Sequence, residues 1–137
     1  MNLAECVDAA QVAEPLSLCI GFPTPNKVQD VFKQYQADST RKLFCCQLDG
    51  TIVGCIGVSL EQDKTVLRHI AVSRQHQWRG VGRFMIGAVF ASLKLSCLEA
   101  ETDHDAVDFY RRCGFTVTSL GEVHPNTERF KCVLTAP

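Results

Sequence analysis

The sequence predicts a single α/β domain. Three observations support this class: the chain has 137 residues, 46% of them are hydrophobic, and its apolar residues recur at strand spacing in some stretches and at helix spacing in others. A chain of this length is expected to form one domain. The pattern is clearest over residues 41–135, whereas residues 1–40 are harder to assign, and no repeat or linker divides residues 1–137.

The first forty residues predict a short strand followed by helices. Residues 3–7 fit a short strand, and residues 8–19 show scattered helical spacing that Pro15 interrupts. A loop rich in Gly and Pro covers residues 21–26. Residues 27–36 place their apolar side chains on one helical face, which predicts a second helix.

The next part of the chain predicts three consecutive strands. Residues 43–48 and 51–60 are β-rich runs that flank Asp49-Gly50. A two-residue Asp-Gly turn between such runs is typical of a β-hairpin, because both turn positions must accept positive φ. A short polar turn then leads to a third strand at residues 65–73.

A strand, a glycine-containing loop and a helix follow one another over residues 70–86. Such a loop presents backbone N–H groups at the start of a helix, where they attract anions, phosphates above all. The loop lacks the Lys-Ser/Thr pair of a Walker loop after Gly82, and Met85 stands where a dinucleotide fingerprint needs Gly. The helix, expected over residues 81–95, is apolar on most sides, so we expect it to be buried against the centre of the sheet.

The C-terminal third predicts a strand, a helix and two more strands. Residues 97–101 fit a short strand. Thr102 and Asp105 have the spacing of a capping box for a helix over residues 104–113, which Gly114 ends. Two final strands joined by a loop are expected at residues 115–120 and 129–134.

Composition excludes several classes of function. The net charge of −1 gives no basic footprint for nucleic acid, and neither a secretory signal nor a membrane-length apolar run is seen, so we expect no nucleic-acid or membrane partner. The eight cysteines lie mostly in apolar runs without C-x-x-C spacing, which favours buried free thiols over disulfides or zinc. We therefore expect a cytoplasmic protein with no bound metal.

Two motifs resemble those of the GNAT superfamily of N-acetyltransferases. The first is Gln77-Trp78-Arg79-Gly80-Val81-Gly82, which matches the family's Gln/Arg-x-x-Gly-x-Gly/Ala pyrophosphate loop. The second runs from Asp103 through Ala106 and Phe109-Tyr110 to Gly114-Phe115, and is similar to the family's Asn-x-x-Ala…Phe/Leu-Tyr…Gly-Phe segment. The resemblance implies a mixed, mostly antiparallel sheet of six or seven strands that opens into a V and is flanked by about four helices.

The resemblance also implies that acetyl-CoA binds in this V as cosubstrate. The residues implied in its binding are Ile70, Ala71, Val72, Gln77, Trp78, Arg79, Gly80, Val81, Gly82, Arg83, Asp103, Phe109 and Tyr110. Main-chain groups of Ile70 and Val72 are expected to pair with the pantetheine arm, and the charges of Arg79 and Arg83 to assist the loop amides at the pyrophosphate. Tyr110 is implied as the general acid that protonates the leaving thiolate, an assistance of roughly 10²–10⁴-fold.

Two residues depart from the family pattern. Asp103 stands where Asn often contacts the cofactor, and a carboxylate accepts hydrogen bonds but repels phosphate. Asp103 is therefore expected either at the cofactor or simply as a helix cap. Trp78 stands where the loop often has Gly, and a bulky side chain there either covers the cofactor or lies on the surface.

The implied reaction moves an acetyl group from acetyl-CoA to an amine of an unidentified small molecule or peptide, by direct attack in a ternary complex. A lysine-like amine must first lose a proton, which costs about 4–5 kcal/mol at pH 7. Val66 and Arg68 match the positions of the family's base and are unsuited to the role. His69 is expected on the opposite face of the strand unless a β-bulge shifts the register, and His104 and Glu101 are further candidates.

Two other classes of function stay open. One is a non-catalytic acyl-CoA-binding module of the same fold, which the missing base permits. The other is a nucleotide-binding regulator that shares only the glycine turn and prefers ATP or NAD to CoA. A homodimer formed through the N-terminal segment or the final hairpin also stays open.

Overall fold

Seven strands and four α-helices make up the structure, a computed structural model that describes all 137 residues. The strands are Asn2–Glu5 (β1), Arg41–Leu48 (β2), Thr51–Leu60 (β3), Thr65–Val72 (β4), Cys97–Asp103 (β5), Thr116–His124 (β6) and Thr127–Thr135 (β7). The helices are Ala9–Ser17 (α1), Pro25–Ala37 (α2), Val81–Ser92 (α3) and Val107–Arg112 (α4). The predicted α/β class and the predicted number of strands and helices are confirmed.

The strands form one mixed sheet in the order β1-β2-β3-β4-β5-β7-β6. Every neighbouring pair is antiparallel except β4 and β5, which are parallel. Those two strands pair only where Thr65 and Val66 meet Leu98 and Glu99, and they separate beyond that point. Because β3 pairs with β4 as far as Val72 and β7 pairs with all of β5, each strand keeps its outer partner while the sheet opens between them. The predicted V is confirmed.

Each face of the sheet carries its own hydrophobic core. The α1–α2 core packs Leu16 and Phe32 against β2 and β3, and includes buried Cys45 and Cys55. The α3–α4 core lies on the opposite face and includes the helix residues Val81, Met85, Ile86, Val89, Val107 and Tyr110. Because α3 contributes four buried apolar side chains to this core, its predicted burial against the sheet is confirmed.

Local sequence signals explain most of the turns and helix starts. Asp49 and Gly50 adopt φ of 52° and 81°, which confirms the predicted Asp-Gly hairpin between β2 and β3. Asp8 caps α1 with a capping box that Gln11 completes, and the Thr24 side chain accepts from the backbone N–H of Lys27 in the first turn of α2. Pro15 lies inside the last turn of α1, so the expected interruption there is wrong.

Four predicted elements need correction. The helix expected over 104–113 is shorter, because the capping box of Thr102 and Asp105 does not form: Thr102 belongs to β5. Instead Asp103 Oδ1 accepts from the backbone N–H groups of Asp105 at 3.0 Å and Ala106 at 3.2 Å, which makes a turn before α4. The last two strands are longer than expected, because Asn126 adopts a φ of 62° and closes a tight turn between them. Helix α3 ends at Ser92 rather than at residue 95.

Candidate active site

The glycine loop links the end of β4 to the start of α3. A single 3₁₀ turn, Arg74–His76, follows β4, and Gln77 Nε2 donates to the Val72 carbonyl at 3.1 Å, which holds the loop against the strand. Trp78 and Gly80 then adopt positive φ, 66° and 82°, and Gly80 is the N-cap of α3. These two left-handed residues turn the chain sharply into the helix.

Seven consecutive backbone N–H groups, those of residues 77–83, donate no hydrogen bond within the chain. The first helical bond of α3 is that from Phe84 N to Gly80 O at 3.0 Å. A run of unbonded donors at the positive end of a helix is the geometry that binds phosphate groups. We call residues 77–83 the cradle; they fit a diphosphate by the number and placement of their donors.

Gly82 allows two helices to pack closely. A Cβ atom at this position would lie 2.7 Å from Phe109 Cε1 and 2.8 Å from Phe109 Cζ. The missing side chain therefore lets α4 approach the first turn of α3. Gly80, by contrast, has open space around its Cα and is required by its positive φ.

The unpaired edge of β4 begins beside the cradle. Ser73 N donates to Val53 O at 2.8 Å, so the main chain at Ser73 faces β3. Since successive residues of a strand turn their N–H and C=O groups to opposite edges, those of Ile70 and Val72 face the split. Ala71 does not: it pairs with Cys55 of β3, and its side chain packs on the α1–α2 core.

Tyr110 lies on α4 on the other side of the split from β3. Its side chain is 6% exposed, and its ring makes edge contacts with Phe109 and Phe115, both with centroids 5.2 Å away. Burial raises the pKa of Tyr110 well above its ordinary value, so the phenol stays protonated at neutral pH.

Two charged side chains that the sequence placed at the cofactor are used within the fold. Asp103 accepts the two N–H bonds described above, so its carboxylate organises the turn before α4. The Arg83 guanidinium donates to the Arg112 carbonyl at the end of α4, and only its backbone N–H belongs to the cradle. Arg79 is exposed and pairs with no carboxylate.

A β-bulge in β4 changes the direction of His69. The register with β3 shifts between Gly57 and Val58, which face His69 and Leu67, so Arg68 is the extra residue. Leu67 and Ile70 both pack on the α3–α4 core, although regular alternation would put residues three apart on opposite faces. Arg68 and His69 therefore share the face that carries α1 and α2, so the bulge that was the stated exception to regular alternation is the arrangement found.

His69 is held by Tyr35 of α2. The Tyr35 hydroxyl and His69 Nδ1 are 2.6 Å apart, and the ring centroids are 5.6 Å apart. Gly57 makes room for this contact, because a Cβ there would lie 2.1 Å from the Tyr35 hydroxyl. Burial lowers the pKa of His69, with smaller effects of Arg41 and Arg68, so the imidazole is neutral at pH 7.

Both His69 Nε2 and the Tyr110 hydroxyl lack a hydrogen-bond partner in the chain. Among residues that are not exposed, the only side-chain polar atom that is both fully buried and without a partner is His76 Nδ1. Because His69 Nε2 and the Tyr110 hydroxyl also have no partner, neither atom is fully buried, and both reach accessible space. They do so from the two opposite faces of the sheet, beside the split.

A charged cleft of about 630 Å³ lies where β4 and β5 separate. Glu99 accepts from the ammonium groups of Lys64 and Lys131, each at 2.9 Å, and these bonds lower its pKa. Arg68 pairs with Glu61 at 2.9 Å, and Glu101 lies 3.7 Å from Arg129. The His104 side chain lies on the turn after β5 and is 78% exposed, so it is not enclosed by the protein.

All eight cysteines are free thiols, and no cluster of three or more His, Cys, Asp or Glu side chains has metal-binding geometry. The neighbouring Cys55 thiol lowers the pKa of the Cys19 thiol, against the opposing effect of burial. No helix is both long and apolar enough to cross a membrane.

Most of the chain matches the sequence pattern of a known family. A profile described as "Acetyltransferase (GNAT) family" matches residues 9–115. The chain belongs to the acetyltransferase (GNAT) family. An uncharacterised N-acetyltransferase from Bacillus methanolicus is 34% identical over 64 residues, which cover 46% of this chain. The match spans about half of that relative, 53% of its length.

Solved structures of GNAT proteins share the fold. The acetyltransferase from Thermus thermophilus superposes with a TM-score of 0.82 at 22% identity, covering 98% of this chain and 96% of the other. A GNAT family acetyltransferase from Elizabethkingia anophelis, solved with acetyl-CoA bound, has a TM-score of 0.73 at 16% identity, covering 98% and 97%. These similarities confirm the GNAT fold that the two motifs implied.

Proposed function

We propose that this protein transfers an acetyl group from acetyl-CoA to an amine of a small molecule or peptide. The observation that carries the proposal is the position of the cradle at the mouth of the split between β4 and β5. The cradle offers donors for a diphosphate, and the split offers an unpaired strand edge for an extended amide-containing arm. CoA contains both groups, and a GNAT relative was solved with acetyl-CoA bound.

Each part of the ligand meets a different set of main-chain groups. The N–H groups of residues 77–83 hold the diphosphate, with the charge of Arg79 nearby. The pantetheine arm lies along β4, where the N–H and C=O groups of Ile70 and the N–H group of Val72 face the split. The Val72 carbonyl already accepts from Gln77, so we assign it no ligand contact.

Acetyl-CoA, when bound, supplies a thioester carbonyl that a neutral amine attacks directly. A backbone N–H of β4 near Val72 stabilises the negative charge that develops on the carbonyl oxygen. The Tyr110 hydroxyl donates its proton to the departing sulfur. Because burial raises the pKa of Tyr110, the phenol is in the acid form at every working pH, although its proton leaves less readily than from an exposed tyrosine.

His69 is the group that we assign to accept the proton of the amine. It is neutral at pH 7, its Nδ1 is fixed by Tyr35 at 2.6 Å, and its Nε2 reaches accessible space. It lies on the face opposite Tyr110, so the amine and the sulfur exchange protons with different faces of the sheet. Glu101 and His104 fit less well, since one is ion-paired and the other is highly exposed.

The first experiment is parallel calorimetric titration of the protein with acetyl-CoA, CoA and ATP. We expect micromolar binding of the first two and weak binding of ATP. Absence of CoA binding would refute the proposal, and preference for ATP would favour a nucleotide-binding regulator instead.

Catalysis is tested by a screen of amines followed by two variants. Tyr110→Phe should lower kcat by roughly 10²–10⁴-fold while leaving CoA affinity unchanged. His69→Gln should lower kcat and remove the acid limb of the pH–rate profile, which we expect below about pH 6.5. A protein that binds acetyl-CoA but acetylates no amine would be the non-catalytic acyl-CoA-binding module.

A further inference from the structure

Trp78 is a large aromatic side chain that the fold does not use for packing. It is 87% exposed and lies within the cradle, between the free N–H groups of its neighbours. Its φ of 66° is also unusual, because a bulky residue in the left-handed region is strained. An exposed indole in a strained conformation contributes little to stability, so its position calls for another role.

A cation lies over this indole. The Arg112 guanidinium carbon is 5.2 Å from the indole centroid, and Arg112 itself is exposed. Its neighbour Arg111 pairs with Asp108 at 2.7 Å, whereas Arg112 pairs with no carboxylate. Because the Arg83 guanidinium donates to the Arg112 carbonyl, the end of α4 is fixed to the first turn of α3. The indole and the guanidinium are thus held together beside the cradle.

We propose that Trp78 and Arg112 bind the nucleotide end of CoA, with the indole stacked on the adenine and the guanidinium paired with the 3′-phosphate. The inference rests on the proposed function, since it takes the diphosphate to lie in the cradle. Adenine is then one ribose away from that diphosphate, and the 3′-phosphate is on the same ribose. The indole offers a π-face for the base, and Arg112 offers an unpaired charge for the phosphate.

Charge and shape both favour this occupant. One face of the indole is beneath Arg112, and the high exposure of Trp78 leaves the opposite face open. A flat aromatic base would cover this open face and remove its apolar surface from water. No side chain of the protein covers that face. The subsite would discriminate CoA from shorter pantetheine compounds that lack the adenosine.

The chain contains one tryptophan and two tyrosines, so fluorescence excited at wavelengths that only tryptophan absorbs reports on Trp78 alone. The probes are CoA, 3′-dephospho-CoA and 4′-phosphopantetheine, which lacks the adenosine. We expect the first two to quench the fluorescence and the third to bind without quenching. Dephospho-CoA should bind about fivefold more weakly than CoA, because it lacks the charge that Arg112 meets.

Variants assign the two contributions by calorimetry. Trp78→Gly, which suits the positive φ and should fold normally, is expected to weaken CoA about tenfold and to leave 4′-phosphopantetheine unchanged. Trp78→Phe should restore part of that loss. Arg112→Gln should bring the affinity for CoA down to that for dephospho-CoA. The control is Phe22→Ala, which removes another exposed aromatic side chain, 91% exposed in the loop between α1 and α2, and should leave CoA affinity unchanged.

The inference fails if Trp78→Gly weakens CoA and 4′-phosphopantetheine equally, or if CoA binds without changing the fluorescence. Those results are distinct from failure of the proposed function, in which the unchanged protein would bind neither CoA nor 4′-phosphopantetheine.

Discussion

Substitution of Gly82 by alanine places a methyl group against the ring of Phe109. The added Cβ would lie 2.7 Å and 2.8 Å from two ring carbons, closer than carbon atoms approach in a packed core. Overpacking of this kind costs about 1–3 kcal/mol. The change from Gly to Ala in a helix stabilises it by up to about 1 kcal/mol. We therefore expect Gly82→Ala to lower the free energy of unfolding by about 1–2 kcal/mol.

The matched control is in the same helix. Gly87 is exposed and has negative φ, and a Cβ there would meet nothing within 4 Å beyond its chain neighbours and the backbone of its own helix. Gly87→Ala should therefore raise the free energy of unfolding by about 0.5–1 kcal/mol, through helix propensity alone. Urea denaturation followed by circular dichroism measures both variants, and the opposite signs separate packing from propensity.

A double-mutant cycle with Phe109 tests the cause directly. Phe109→Leu removes the two ring carbons that the new methyl group meets. In that background Gly82→Ala should be neutral or slightly stabilising, which gives a coupling of about 1–2 kcal/mol. If Gly82→Ala costs the same with leucine as with phenylalanine at position 109, contact with the ring is not the reason for glycine and the reasoning is refuted.

Three further predictions concern the opposite face of the sheet. Gly57→Ala should destabilise the fold by about 3 kcal/mol or more in urea denaturation, because its Cβ would lie 2.1 Å from the Tyr35 hydroxyl; a loss below about 1 kcal/mol would contradict the packing. His69 has a pKa below its unfolded value of 6.5, so the unfolded state binds more protons and stability falls as pH decreases through this range. His69→Gln should reduce that slope in denaturation series between about pH 7 and 5, and an unchanged slope would remove His69 as its source. Cys19 should react with iodoacetamide faster than the other seven thiols, as followed by mass spectrometry, and equal rates would count against its lowered pKa.

Much of the architecture could be predicted from short-range patterns. The Asp49-Gly50 hairpin, the strand before the glycine loop and the buried helix α3 follow from turn chemistry and apolar periodicity, which depend on neighbouring residues only. The sequence-based prediction is wrong where a contact with a distant part of the chain overrides a local signal. The Thr102 capping box was plausible by spacing, but pairing of β5 with β7 extends the strand to Asp103 and leaves that carboxylate to form the turn.

Some features of the candidate site also follow from the sequence alone, and others depend on the tertiary structure. By itself the sequence determined the glycine loop, its place between a strand and a helix, and Tyr110 on a later helix, because motifs of adjacent residues encode them. Tertiary structure alone decided that Gly82 accommodates Phe109, that a bulge turns His69 toward Tyr35, and that β4 and β5 separate beside the cradle. Each of these depends on contacts between residues far apart in the chain, and a single strand or helix pattern carries no information about the partner that packs against it.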